Sequence, residues 1–237
     1  DTAGSFHGTL LQPSTAAIPN ARLLFVSKID SSGNTIWTKT IEAMILNTSN
    51  HLYSDGSNVY LTTVFNGDVV IDGQLITNIS ETILVVKFDT NGNIVWFKTY
   101  PLETNATQNN TRAWATDITV DKDGNVLLSG YIRGKLTFGN TVLETNLVGG
   151  QREAIVLKMD ANGTELWGIV STSTPSMGYI YAQSWTITTD SKGDVLVGGF
   201  FIKSESTESI SFFTNSGSMP GFSNASMVKI DVCSIDC

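Results

Sequence analysis

Apolar residues along the chain are grouped in short runs of Val, Ile, Leu, Phe and Trp, and polar turns with the pattern Asp-x-x-Gly separate these runs. In such a turn the Asp carboxylate caps backbone amides, and the glycine takes the positive φ that a bulged hairpin loop requires. No stretch keeps the i, i+3, i+4, i+7 apolar spacing of an amphipathic helix for more than a turn. The pattern therefore predicts an all-β fold built of hairpins.

One apolar phrase with a central lysine and a final aspartate recurs along the chain. Its four copies are Phe25-Val-Ser-Lys-Ile-Asp30, Leu84-Val-Val-Lys-Phe-Asp89, Ile155-Val-Leu-Lys-Met-Asp160 and Ser226-Met-Val-Lys-Ile-Asp231. A turn and a strand with a tryptophan follow the first three copies, at Trp37, Trp96 and Trp167. A second hairpin then completes each unit, so the chain is an internal repeat of hairpins.

Each repeat supplies four short strands. In the third unit the inner, second, third and outer strands are predicted at 115–121, 125–133, 153–160 and 165–171, and an extra apolar hairpin is inserted at 135–143. Four-stranded antiparallel units repeated in this way predict a β-propeller of about four blades. Within this single domain the blades are assigned to residues 1–51, 52–112, 113–182 and 183–237.

The first and last blades are predicted to be incomplete. Residues 3–10 align with 129–136, so the chain opens on a second strand, and no Gly-Asn-x-x-Trp pattern follows the third strand at 226–232. Open strand edges can be satisfied by closure of the ring, by sequence outside the given chain, or by a strand of a neighbouring copy. The last route extends head to tail into a filament.

The repeat resembles a known family. The Val-x-Lys-hydrophobic-Asp segment, the Gly-Asn-hydrophobic-x-Trp segment and the Val-Asp-x-x-Gly-Asn-Val segment at 120–126 together look like the bacterial-type β-propeller repeats called SBBP repeats, over roughly residues 22–232. The resemblance implies a propeller fold and brings no catalytic motif.

Composition and charge disfavour several classes of function. The 237 residues carry 14 basic and 22 acidic side chains, a net charge of −8 without a basic cluster, so nucleic acid and anionic membranes are poor partners. Two histidines and two cysteines leave little material for a metal site, and no apolar run is long enough to span a bilayer. We expect no metal and no cofactor. The Ser/Thr/Asn-rich, Lys-poor composition favours a secreted protein, extracellular or at a cell surface.

Candidate modification sites lie between the predicted strands and at the end of the given sequence. Five sequons are predicted N-glycosylation sites: Asn47, Asn78, Asn105, Asn109 and Asn224. A sixth, at Asn162, lies in a tight turn and is not favoured. Cys233 and Cys237 are predicted to form a disulfide in an oxidising compartment, and the alternatives are two free thiols or pairing with residues beyond Cys237.

The tryptophans have two interpretations. The three that repeat, Trp37, Trp96 and Trp167, are expected to pack between blades. Trp114 and Trp185 precede predicted inner strands and are the candidates for stacking on a sugar, although core packing is the favoured interpretation for them as well.

The polar candidates have structural interpretations too. The repeated lysines, at positions 28, 87, 158 and 229, are expected to be solvated. Asp121, Asp123 and Asn125 are expected to cap a turn rather than to bind calcium. His7 and His51 have no nucleophile near them in any plausible constellation, and no Gly-x-Ser-x-Gly motif occurs, so we expect no enzymatic activity.

These observations support two hypotheses about function. The first is a secreted, non-enzymatic structural protein that assembles with itself, such as the subunit of a filament. The second is an extracellular binding module, a lectin-like propeller that recognises a glycan or a protein through faces near Trp114 and Trp185.

Overall fold

The structure is a computed structural model, and it describes residues 4–6, 8–11, 18, 21–43, 50–77, 80–103, 111–145, 152–173, 181–202 and 210–211. In these residues all regular secondary structure is β, and every pair of adjacent strands is antiparallel, which confirms the all-β prediction. The described residues include no helix long and apolar enough to cross a membrane.

Four sheets carry most of the strands. The first sheet contains β3 (Arg22–Ile29), β4 (Thr35–Ala43), β7 (Val69–Ile71) and β8 (Gln74–Ile76). The second contains β5 (His51–Ser54), β6 (Asn58–Asn66), β9 (Glu81–Asp89), β10 (Ile94–Glu103), β13 (Lys135–Phe138) and β14 (Thr141–Glu144). The third contains β11 (Arg112–Val120), β12 (Val126–Arg133), β15 (Glu153–Met159) and β16 (Glu165–Val170). The fourth contains β18 (Tyr181–Thr189) and β19 (Val195–Ile202).

Two short pairs accompany the sheets: β1 (Gly4–Phe6) with β2 (Thr9–Leu11), and β17 (Thr172–Ser173) with β20 (Ile210–Ser211). The prediction that residues 3–10 form a second strand beside the first lysine strand is wrong. Gly4 to Phe6 pairs instead with Thr9 to Leu11, because the positive φ of Gly8 (75°) allows the chain to turn back on itself at once.

The third sheet has the strand order that the repeat predicts. Its order is β11-β12-β15-β16, so the inner, second, third and outer strands lie side by side. Strands β5-β6-β9-β10 have the same order in the second sheet. Two successive repeats therefore fold into equivalent four-stranded arrangements.

The inserted hairpins join the sheet that precedes their own repeat. Strand β13 pairs with β10 through Leu102 and Leu136, and β7 pairs with β4 in the equivalent way. The hairpin β13–β14 places Phe138 and Leu143 in the core beside Tyr100. The sequence predicted the inserted hairpin at 135–143, but neither the hairpin β7–β8 nor this exchange between repeats.

The four sheets pack face to face in the order of the chain. One core lies between the first and second sheets, a second between the second and third, and a third between the third and fourth. Along β9, Leu84 and Val86 face the first sheet while Ile83 and Val85 face the third. A strand buried on both faces is apolar at successive positions, which explains the continuous apolar run in this copy of the repeat.

The Asp-x-x-Gly turns have the predicted geometry. In the first of them Asp30 Oδ1 accepts the amides of Ser32 at 2.9 Å and Asn34 at 2.8 Å, and Gly33 has φ of 87°. The Asn34 side chain also donates to Asp30 Oδ2, and this hydrogen bond, together with those from the amides, lowers the pKa of Asp30 below its ordinary value. Turns that begin at Asp89, Asp121, Asp160 and Asp190 repeat the pattern, and turn capping is therefore confirmed.

Candidate functional site

Many of the candidate residues lie outside the described residues. They are the five favoured sequons Asn47, Asn78, Asn105, Asn109 and Asn224, both cysteines Cys233 and Cys237, the histidine His7 and the fourth repeated lysine Lys229. Glycosylation and the disulfide stay predictions. In the ranges that the structure does describe, no three His, Cys, Asp or Glu side chains lie close enough together to hold a metal ion.

Trp114 lies inside β11 rather than before it, and it is half-buried among other rings. Its indole stacks on Tyr131 with ring centroids 4.6 Å apart. The guanidinium of Arg152 lies 4.9 Å from the Trp114 ring centroid and 5.1 Å from that of Tyr181. Because its ring is occupied by these contacts, Trp114 has the features of a packing residue.

Trp185 differs from Trp114 in its exposure. It is the extra residue of a β-bulge in β18, where Ser184 and Thr186 pair with consecutive residues of β19, and 52% of its surface is exposed. Its ring stacks on Phe200 at 6.1 Å. The expectation of core packing is therefore wrong for Trp185. Thr116 is the extra residue of the equivalent bulge in β11 and is only 2% exposed, because β18 packs against it, so the packing partner and not the bulge decides the exposure.

The side chain of a repeated lysine contacts the turn at Asp121. Asp121 Oδ2 lies 2.8 Å from Lys158 Nζ, and both side chains are largely buried. Burial opposes ionisation of Asp121, but the hydrogen bonds from Lys158 and Asn125 outweigh it and keep its pKa below the ordinary value. The prediction that the repeated lysines are solvated is therefore wrong for Lys158.

His51 has no catalytic arrangement around it in the described residues. It lies in β5 and is half-buried, and this burial lowers its pKa although the negative charge of Asp117 opposes the shift. Asp117 accepts hydrogen bonds from Thr186 Oγ1 at 3.0 Å and from the Ile187 amide at 2.9 Å. These contacts tie β11 to β18.

A repeated contact joins the first sheet to the second and the second sheet to the third. Trp37 Nε1 and Lys28 Nζ, from the first sheet, both donate to the carbonyl of Thr90, at 2.9 Å and 3.2 Å. One repeat later, Trp96 Nε1 and Lys87 Nζ both donate to the carbonyl of Ala161, at 3.1 Å and 2.9 Å. We call this arrangement the tryptophan–lysine contact.

The tryptophan–lysine contact requires glycine in the turn that receives it. A Cβ atom on Gly92 would lie 2.7 Å from Trp37 Cδ2, and one on Gly163 would lie 3.1 Å from Trp96 Cδ2. The prediction that Trp37 and Trp96 pack between repeats is confirmed. The lysines were expected to be solvated, and this is wrong for Lys87, which is only 9% exposed, because its ammonium group donates across the joint.

In the described residues, the first sheet has no tryptophan–lysine contact on the side that points away from the second sheet. Gly33 occupies the same turn position as Gly92 and Gly163, yet no described atom lies within 4 Å of the Cβ position on Gly33. In β3, Phe25 is 39% exposed and Ile29 is 42% exposed, whereas the equivalent residues of β9 and β15 are at most 1% exposed. We call Phe25, Ile29 and Gly33 the open face.

The free edge of β3 adjoins a groove. Among the described strands β3 pairs only with β4, whereas its equivalents β9 and β15 pair on both sides. A groove of about 310 Å³ lies between β3 and the hairpin β5–β6, and Leu52 forms part of its wall. We call this space the edge groove.

Leu52 is an exposed apolar side chain in the wall of the edge groove. By the pairing register, Leu52 is equivalent to Ile118 in the third sheet and Ile187 in the fourth. Ile118 and Ile187 are 2% and 3% exposed, because β6 packs against β11 and β12 packs against β18, but Leu52 is 54% exposed. The position that a second strand beside β3 would occupy is open in the described part of the chain.

No model of a protein family matches the chain, and no curated protein is significantly similar to it.

Proposed function

We propose that the protein is an extracellular, non-enzymatic structural protein whose copies assemble head to tail into a filament through the edge groove. The observation that carries the proposal is the exposure of Leu52, 54% against 2% and 3% at the equivalent positions. An eight-residue strand whose edge is free among the described strands, with an exposed leucine in the groove beside it, is a template for the addition of another strand.

We also propose that the four sheets are blades of a β-propeller. Two features support this proposal: the sheets pack face to face in chain order, and the inner strands β5, β11 and β18 neighbour one another in that order. A ring built in this way is left open at the free edge of β3, where the fourth sheet would have to meet the first.

A second copy offers the strands that the first sheet lacks. In the described residues the fourth sheet holds an inner strand, β18, and a second strand, β19, while the first sheet holds a third strand, β3, and an outer strand, β4. Strands β19 and β3 of the same chain do not pair. Pairing between copies would make one four-stranded sheet, β18-β19-β3-β4, and each copy would leave one end for the next.

The register of this joint follows from the third sheet. There Val126 pairs with Met159, and Val195 and Ile29 are the equivalent residues of β19 and β3. We therefore expect Val195 of one copy opposite Ile29 of the next, with the chains antiparallel.

The experiment compares Leu52→Glu with Leu75→Glu. The two leucines are 54% and 53% exposed, both lie in strands, and both variants change the charge equally, but only Leu52 lies in the edge groove. We expect the wild type and Leu75→Glu to form filaments in electron micrographs. Leu52→Glu should weaken association in sedimentation velocity by about tenfold or more, because a carboxylate would be desolvated in the joint.

A wild-type protein that sediments as a monomer from micromolar to millimolar concentration would overturn the proposal. So would equal association of the two variants. Filling of the β19 edge by the predicted third strand of its own chain, at 226–232, would give monomers, because β3 of another copy would then find no free edge at β19 to pair with.

One observation favours a binding module as the second candidate. The half-exposed ring of Trp185 is available for stacking on a sugar, whereas the ring of Trp114 is already covered by protein contacts. A glycan array tests this candidate, and we expect binding that Trp185→Ala abolishes; an array without hits would remove it.

A further inference from the structure

The open face is the side of the first sheet that points away from the second sheet, and Ile29 also borders the edge groove. The residues of β9 that are equivalent to Phe25 and Ile29 are Leu84 and Phe88, which pack against the preceding sheet. Phe25 and Ile29 therefore face the side where a preceding sheet would lie, and Gly33 belongs to the same side through its turn. In the described residues that side is covered only by the Phe6 ring, 4.8 Å from Phe25.

The two tryptophan–lysine contacts show what covers the equivalent faces of the second and third sheets. In each, the outer strand of the preceding sheet places a tryptophan ring on the turn glycine, and its Nε1 donates to the carbonyl of the residue after the turn aspartate. Glycines 92 and 163 are buried by these rings, while Gly33 is exposed. The turn of the first sheet has the same backbone, with Gly33 at φ of 87° against 81° for Gly92 and Gly163.

We infer that the turn Asp30–Asn34 is the docking site for a tryptophan of a second copy of this chain, with the indole over Gly33 and its Nε1 donating to the carbonyl of Ser31. The inference rests on the proposed function and names the second contact of the same joint. Burial of Phe25 and Ile29 against the neighbour would accompany it.

The position of the tryptophan in the neighbour follows from the order of the sheets. If β18-β19 of one copy pairs with β3-β4 of the next, the sheet that precedes this composite sheet is the third sheet of the first copy, and its outer strand carries Trp167. Trp167 has contacts within its own chain, among them Lys158 at 6.0 Å from its ring. Docking on Gly33 of the next copy would therefore require Trp167 to exchange contacts within its own chain for those of the joint.

The test compares Gly33→Asn with Gly73→Asn. Both glycines are exposed, have positive φ of 87° and 77°, and have no described atom within 4 Å of the Cβ position. Asparagine tolerates this conformation better than other L residues, so both variants should fold, which thermal unfolding checks. The side chain at position 33 would occupy the place of the indole, and we expect Gly33→Asn to weaken association about tenfold in sedimentation velocity. Gly73→Asn should associate as the wild type does.

A second measurement distinguishes the inference about Gly33 from the proposed function. Trp167→Phe removes the Nε1 donor but keeps a ring, and we expect it also to weaken association, whereas mixing it with Gly33→Asn should not restore long filaments. Association that depends on Leu52 but not on Gly33 would overturn the inference and leave the proposed function standing. A wild type that never associates would overturn both.

Discussion

The turn at Gly92 and the turn at Gly33 have the same sequence pattern and nearly the same backbone, but they differ in what covers them. Gly92 lies under Trp37, and the carbonyl beside it accepts hydrogen bonds from Trp37 and Lys28. Gly33 is exposed. The comparison shows that a repeated sequence can supply both the tryptophan and the turn glycine of this contact. The contact itself forms only where two sheets are neighbours.

The largest expected effect is a difference in the free energy of unfolding between variants of the two turns. Gly92→Ala should lower the free energy of unfolding by about 3 kcal/mol, because the new Cβ strains a positive φ and also displaces the Trp37 ring. Gly33→Ala introduces the same strain without a ring to displace, so we expect a loss of about 1 kcal/mol. Urea unfolding of dilute protein measures both, and equal losses would show that the ring moves aside without cost.

The next effect concerns the third lysine, which pairs with Asp121. Asp121→Asn leaves the largely buried Lys158 ammonium group without its carboxylate, and we expect a loss of about 2 kcal/mol at pH 7. Because the pKa of Asp121 is lowered on folding, the stability from this pair is complete above the ordinary pKa of 3.8 and is lost as the pH falls through the folded value.

The difference in stability between wild type and Asp121→Asn should therefore be constant near neutral pH and close in strong acid. Urea unfolding as a function of pH measures it. A difference that does not shrink as the pH falls below the ordinary pKa of 3.8 would mean that the ion pair is not its source.

The smallest effect compares the two closed joints. Trp96→Phe removes the hydrogen bond to the Ala161 carbonyl, in a half-buried position, and we expect a loss of about 1 kcal/mol. Trp37→Phe removes the equivalent bond to Thr90 in a more exposed joint and should cost about 0.5 kcal/mol. The paired difference in urea midpoints tests this order, and a larger loss for Trp37→Phe would reverse our ranking of the joints.

Much of the fold could be predicted from local sequence patterns. The capped turns follow from Asp and Gly at a fixed spacing, and the strand order of the third sheet follows from short connections between successive strands. The inter-sheet role of Trp37 and Trp96 follows from their equal places in the repeat. Trp185 could not be judged in this way, because its exposure depends on which strands pack against β18. Thr116, at the equivalent position of β11, is buried by β18 itself.

Part of the candidate assembly site could be predicted from the sequence. The incomplete first blade predicted an open edge, but not which residues it exposes, since Leu52, Ile118 and Ile187 are equally apolar in the sequence. The lysines were misjudged for a related reason. A lysine usually lies in solvent, and the donation of Lys87 to Ala161 spans residues far apart in the chain.

The sequence by itself determined the class of fold, the repeat and the turns, because these depend on interactions between residues close together in the chain. Tertiary structure alone decided that each inserted hairpin joins the preceding sheet, that tryptophan and lysine share one carbonyl across a joint, and that the first sheet keeps an open edge and an open face. These features depend on which surfaces meet, and burial and hydrogen bonding between distant residues leave no periodic signal in a single sequence.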